Sequence, residues 1–170
     1  MQYRDDSTTH QITAYIGMGS NLADPVEQLY RAHKAISAMD GVTELTMSSF
    51  YHSPPMGPQD QPDYVNAVLA VTTRLSPLDL LHGLQTIENE QGRVRGERWG
   101  ARTLDLDVLL YGDQCIDLPE LTVPHVGLTQ RAFVLYPLHE ISPQLYVPNK
   151  GELKDLLARC PMAGLKRLDS

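Results

Sequence analysis

The sequence predicts an α+β fold of the ferredoxin-like type, an antiparallel sheet with helices on both faces in a single domain. Three observations predict it. Strand-like apolar runs alternate with two amphipathic helices in the order βαβ, βαβ, and a further helical stretch follows at the C-terminus. Both helices open on recognisable start signals. The 170 residues, 42% hydrophobic and 21% charged, suffice for one packed core, and no repeat, low-complexity tract or linker divides them.

Residues 1 to 11 are polar and unpatterned and read as a flexible extension, so the domain is expected over 12–170. ITAYIGMG is a short apolar run ending in glycines, which predicts a buried strand leading into a structural turn at GMGSN. Asp24, Pro25 and Glu27 form an N-cap, a proline at the first helical position and a capping partner, which predicts a helix to about Met39. Val26, Leu29, Ala32 and Ile36 give it one apolar stripe. Residues 43–51 and 64–73 are rich in β-branched and aromatic residues and read as strands. The proline-rich SPPMGPQDQPD between them reads as a functional loop. Ser76, Pro77 and Asp79 start a second helix, carried on by Leu78, Leu81, Leu84 and Ile87 to about Glu90. TLDLDVLLY is the clearest strand. VGLTQRAFVLYPLHEI reads as a helical pair interrupted around Pro137, and residues 151–165 as a last helix.

The formal charge of −7 argues against a general nucleic-acid binder, so any polyanion site is local. No run approaches the roughly 18 apolar residues that span a bilayer, and the N-terminus lacks a signal-peptide core, which predicts a cytoplasmic protein without a membrane partner. Cys115 and Cys160 have no CxxC spacing and read as reduced thiols.

Side chains alternate along a strand, so Asp105 and Asp107 point to one face while Leu104, Leu106 and Val108 point to the other. Two carboxylates so close repel unless a cation lies between them, and their oxygens suit hard Mg²⁺. The bland reading is a solvated strand face. Immediately upstream, QGRVRGERWGAR carries Arg93, Arg95, Arg98 and Arg102, a cationic island in an acidic chain. Guanidinium forks match phosphate oxygens, and Gly92, Gly96 and Gly100 suit a loop that closes over a ligand. Metal and arginines acting on one substrate are what phosphoryl transfer requires. No GxxxxGK[ST] is present, so this is not a P-loop enzyme. Trp99 lies in the arginine loop, free to stack on a bound ring. Tyr64 and Asn66 share a strand face, and the amide of Asn66 matches the amino-oxo edge of a pterin or purine, or else makes an ordinary cross-strand bond. A metal-dependent phosphohydrolase and a noncatalytic RNA-binding module on the same sheet are the competing functions.

The ordered segments AYIGMGSNL, SSFYHSPPMGPQDQPDYVNAV, ERWGARTLDLDVLLYGD and LTVPHVGLTQRAFVLYPLHEI together resemble the 6-hydroxymethyl-7,8-dihydropterin pyrophosphokinases of folate biosynthesis. The resemblance implies transfer of pyrophosphate from ATP to 6-hydroxymethyl-7,8-dihydropterin, giving AMP, by a monomer. It implies two Mg²⁺ on Asp105 and Asp107, with Arg93, Arg95, Arg98 and Arg102 on the phosphates and Arg93 and Arg102 in catalysis. It implies a pterin pocket of Ser53, Pro54, Met56, Tyr64, Asn66, Trp99 and Phe133, with Phe133 stacking on the ring. On the ATP side it implies Gln85, Glu88, Arg95, Arg98, Trp99, Arg102, Thr122, His125 and Arg131. Ala101, Glu120 and Val126 depart from the family pattern, and the last two are left outside the site.

Overall fold

The computed structural model describes residues 11–21, 24–54, 64–95, 104–162 and 164–168. Apart from Gln11, the expected N-terminal extension lies outside the described residues. The first strand, β1 (Ile12–Ser20), is followed by α1 (Pro25–Ser37), the edge segments β2 (Val42–Met47) and β3 (Tyr51–Ser53), and the long β4 (Tyr64–Thr73). Then come α2 (Pro77–Arg95) and β5 (Leu104–Tyr111). β4 runs antiparallel to β1 on one side and to both β2 and β3 on the other, while β5 runs antiparallel to the free side of β1. With β2 and β3 sharing one edge, the order is β2/β3, β4, β1, β5, the antiparallel ferredoxin-like arrangement.

Beyond β5, β6 (Ile116–Asp117) and β7 (Thr122–Val123) form a small hairpin, and a 3-10 turn at Leu128–Gln130 leads into α3 (Ala132–Ile141). A second hairpin, β8 (Tyr146–Val147) with β9 (Gly151–Glu152), precedes α4 (Leu153–Ala158). Finally, β10 (Lys166–Arg167) pairs with β3.

Period-two alternation divides the core between the sheet's two faces. Ala14, Ile16 and Met18 of β1, Val65, Ala67 and Leu69 of β4, and Leu104, Leu106 and Val108 of β5 pack with Leu29 and Ile36 of α1 and Leu80 and Leu84 of α2. The opposite face carries Tyr51, Val68, Leu109 and Leu110 with Leu135 and Leu138 of α3 and Leu153 and Leu156 of α4. Val108 pairs with Ile16 and Leu110 with Tyr15, so Leu109 is the extra residue of a β-bulge. The bulge sends both Leu109 and Leu110 to the α3 side, directly after the aspartates.

Several boundaries depart from the sequence expectations. The strand expected over 43–51 breaks at Ser48, whose hydroxyl accepts the Val68 N–H at 2.9 Å while its own N–H donates to the Val68 carbonyl at 2.8 Å. A side chain thus replaces a ladder bond, and the chain bends before β3. Asp24 adopts left-handed backbone angles (φ 53°, ψ 61°) and makes no side-chain cap, so only its carbonyl serves the helix, through the Gln28 N–H. Ser76 does cap α2, accepting the Asp79 N–H at 3.1 Å. α2 runs through Gly92 to Arg95, which places Arg93 and Arg95 on its last turn rather than in a loop. The helical break expected at Pro137 falls at Arg131 instead, where the backbone is extended, and α3 continues through the proline.

Candidate functional site

The glycines of GMGSN are not a turn: Gly17 and Gly19 lie within β1, on the face away from α1 and α2. Register places Gly19 between Asn66 of β4 and Asp105 of β5, and Gly17 opposite Asp107. Two consecutive inward positions without side chains leave a trough across the middle of the sheet. A Cβ at Gly19 would stand 2.8 Å from Asn66 Nδ2, and one at Gly17 3.2 Å from the Leu109 side chain. The trough is the floor of a cavity of about 240 Å³, walled by Ser53, Pro54, Tyr64 and Asn66 at one end and by Asp105, Asp107, His125 and Arg131 at the other. Phe133 and Val134, at the start of α3, close one side.

Asp105 is exposed and Asp107 half-buried on the cavity face of β5, with Leu104, Leu106 and Val108 buried on the reverse, as the alternation requires. Glu88 of α2 approaches the same strand from its outer edge and accepts the Leu106 N–H at 2.7 Å. Burial pushes the Glu88 carboxyl up to about 7; the Leu106 amide opposes the shift, and the charges of Asp105 and Asp107 add to it. The charges of the three acids therefore repel one another. His125 faces Asp107, its Nε2 3.9 Å from Oδ2, while its Nδ1 accepts the Gly127 N–H at 3.1 Å. That bond leaves the ring proton of neutral His125 on Nε2, directed at Asp107. Burial lowers the His125 pKa, Asp107 opposes this, and Arg131 lowers it further.

Among the described residues no group of three or more His, Cys, Asp or Glu side chains could enclose a metal ion. Two hard carboxylates open to a cavity fit a cation of the Mg²⁺ kind, which takes one or two protein carboxylates and completes its shell with water and phosphate oxygens.

At the other end, Ser53 Oγ donates to Asn66 Oδ1 at 2.6 Å, both residues being buried. The bond occupies the amide's acceptor on the protein side and turns Nδ2 toward Gly19 and the trough. The Arg131 guanidinium lies 5.7 Å from the centroid of the Phe133 ring, linking a cation to an aromatic wall. Gly127 makes room for it, since a Cβ there would meet Arg131 Nε at 2.5 Å.

Of the residues singled out in the sequence, Ser53, Pro54, Tyr64, Asn66, Asp105, Asp107, His125, Arg131 and Phe133 line this one cavity. Gln85, Glu88 and Thr122 do not line it. Gln85 and Thr122 are exposed, on α2 and β7, and Glu88 sits at the outer edge of β5. Met56, Arg98, Trp99 and Arg102 lie outside the described residues, as do the side chains of Arg93 and Arg95. Gly17, Gly19 and Leu109 line the cavity unanticipated. Two glycines spaced by two in an apolar strand were the available signal for the trough.

The chain matches the family described as 7,8-dihydro-6-hydroxymethylpterin-pyrophosphokinase over residues 15–143. It is 58% identical to the 2-amino-4-hydroxy-6-hydroxymethyldihydropteridine pyrophosphokinase of Haemophilus influenzae over 146 residues, covering 86% of this chain and 91% of that one. With the Pseudomonas aeruginosa protein of the same name it shares 53% identity over 154 residues, 91% of this chain and 95% of that one. Its fold is similar to a crystal structure of Plasmodium falciparum HPPK-DHPS with pteroate, with a TM-score of 0.70 at 13% identity. That alignment covers 94% of this chain and 43% of the longer one.

Proposed function

This chain belongs to the 7,8-dihydro-6-hydroxymethylpterin-pyrophosphokinase family, and on that premise we propose how its cavity serves the family's reaction. The enzyme transfers pyrophosphate from ATP to the hydroxymethyl group of 6-hydroxymethyl-7,8-dihydropterin in folate biosynthesis. The hydroxymethyl oxygen bonds to the β-phosphorus as the bond from that phosphorus to the α,β-bridging oxygen breaks. AMP leaves with the bridging oxygen, and the hydroxyl proton is released.

The observation that carries this reading is the side-chain-free strip of Gly17 and Gly19 between Asn66 and the aspartates. A flat ring held at the Asn66 end directs its substituent along the strip toward Asp105 and Asp107. Asn66, held by Ser53, reads the ring's amino-oxo edge, and Phe133 stacks on its face, with Pro54, Tyr64, Met56 and Trp99 completing the pocket. Asp105 and Asp107 hold two Mg²⁺, which supply neutralisation of phosphate charge when bound. His125, whose Nε2 faces Asp107 at 3.9 Å, serves the nucleotide side of the cavity. Arg131 binds the nucleotide's phosphates from the Phe133 side. Arg93, Arg95, Arg98 and Arg102 engage the phosphates, with Arg93 and Arg102 acting on the transferring group, where one arginine can supply about 10³-fold in rate. Gln85, Glu88 and Thr122 contribute on the nucleotide side from beyond the cavity wall.

The enzyme is taken to act as a monomer. No helix among the described residues is long and apolar enough to cross a membrane, in keeping with a cytoplasmic enzyme. The test is incubation with MgATP and the hydroxymethyl dihydropterin, with products separated by chromatography. Pterin-dependent AMP is expected; ADP or phosphate released without pterin would replace this reading with a phosphohydrolase.

A further inference from the structure

Glu140 lies in the last turn of α3, away from the cavity, yet four bonds tie it to Tyr51 of β3, the strand that forms the cavity's far wall, and to Ser49 just before that strand. Its Oε1 accepts the Tyr51 hydroxyl at 2.7 Å and the Ser49 N–H at 3.1 Å. Its Oε2 accepts the Ser49 hydroxyl at 2.8 Å and the same N–H at 3.0 Å. Arg167 of β10, itself paired with β3, approaches Oε2 at 3.6 Å but is largely exposed and weakly held.

Tyr51 and Ser53 are alternate residues of β3 and face the same way. Tyr51 stands directly opposite Asn66 in the register, and Ser53 reaches the same Asn66 diagonally through its hydroxyl. At the other end of α3, Phe133 precedes Glu140 by seven positions, two helical turns, so both project from one side of the helix. One face of α3 is thus bonded to β3 at its C-terminal end and supplies the cavity's aromatic wall at its N-terminal end.

We propose that Glu140 is a positioning residue for the ring pocket, setting the gap between Phe133 and the Ser53–Asn66 pair by clamping α3 to β3. The proposal rests on the reading that a pterin occupies this end of the cavity. A carboxylate suits the task because two acceptor oxygens take three donor groups at once. Burial would raise the Glu140 pKa, but the bonds from Tyr51 and Ser49 and the Arg167 charge outweigh it and keep the group ionised. Burial and the bond to Glu140 push Tyr51 up to about 12, so the phenol keeps its donor proton.

Glu140→Gln places an amide NH₂ where Oε2 now meets the Ser49 N–H, setting donor against donor. The full chain and its E140Q and Y51F variants are compared for hydroxymethyl dihydropterin dissociation constant by calorimetry, and for KM and kcat with both substrates. E140Q is expected to weaken pterin binding about tenfold while leaving the KM for MgATP within about twofold. Y51F is expected to weaken pterin binding less, and the double variant no more than E140Q. An unchanged pterin dissociation constant in folded E140Q overturns the proposal, even if its melting temperature falls. If E140Q does not fold, an unchanged constant in Y51F does the same. Wild-type protein that binds pterin but makes no AMP would instead defeat the assigned reaction, with the dissociation constants still deciding Glu140.

Discussion

The Ser53 hydroxyl donates to Asn66 Oδ1 at 2.6 Å, joining adjacent strands at the buried end of the cavity. The bond decides which end of the Asn66 amide faces the ligand, because an acceptor already engaged on the protein side leaves the NH₂ group toward the trough. Ser53→Ala frees that amide to rotate. A net hydrogen bond of about 1 kcal/mol predicts a pterin KM raised about fivefold with kcat nearly unchanged. Ser53→Thr, which keeps the hydroxyl, should restore it, and steady-state kinetics on the three proteins check both.

Gly19 faces that same amide. A Cβ there would lie 2.8 Å from Asn66 Nδ2, closer than packed atoms approach, so Gly19→Ala must displace the amide or fill the trough. Pterin affinity is predicted to fall at least tenfold by calorimetry. The strand itself should persist, since alanine is at home in extended backbone, and an unchanged far-UV circular dichroism spectrum would show it.

Asp105→Asn and Asp107→Asn each remove one charge from a region where Glu88 already titrates near 7. Loss of about 4 kcal/mol of transition-state stabilisation predicts kcat lowered about 10³-fold. The melting temperature without metal should hold steady or rise, because repulsion among acids is relieved. Turnover near the wild-type rate in either variant would defeat the metal-holding role.

Glu88 also predicts a pH dependence. Its folded pKa lies above the unfolded value, so the unfolded state holds its proton less tightly, and ionisation costs the folded state. The penalty is absent below about pH 4.5, grows as pH rises through about 7, and is full above it. Glu88→Gln can still accept the Leu106 N–H, so in EDTA the variant should gain melting temperature over wild type at pH 8 and lose that advantage near pH 4. Parallel melting curves for the two proteins from pH 4 to 8 would argue against the raised pKa.

The sequence by itself determined the elements whose signals are local. β4 occupies the predicted 64–73, and Ser76 caps α2, because β-branched alternation and a serine before Pro77 act within a few residues. The common face of Asp105 and Asp107 follows from the pleat alone, and the family's ordered motifs named the reaction. Other features depended on partners distant in the chain. Ser48 breaks a predicted strand because its hydroxyl meets Val68, twenty residues on. GMGSN reads locally as a turn, yet pairing with both β4 and β1's other neighbour, β5, keeps it extended and makes its glycines a floor. Glu140 looks like any acid near a helix end until α3 lies across β3. Only the tertiary structure decided that the two aspartates and the Ser53–Asn66 pair share one trough, since β1, which carries no functional side chain there, is what separates them.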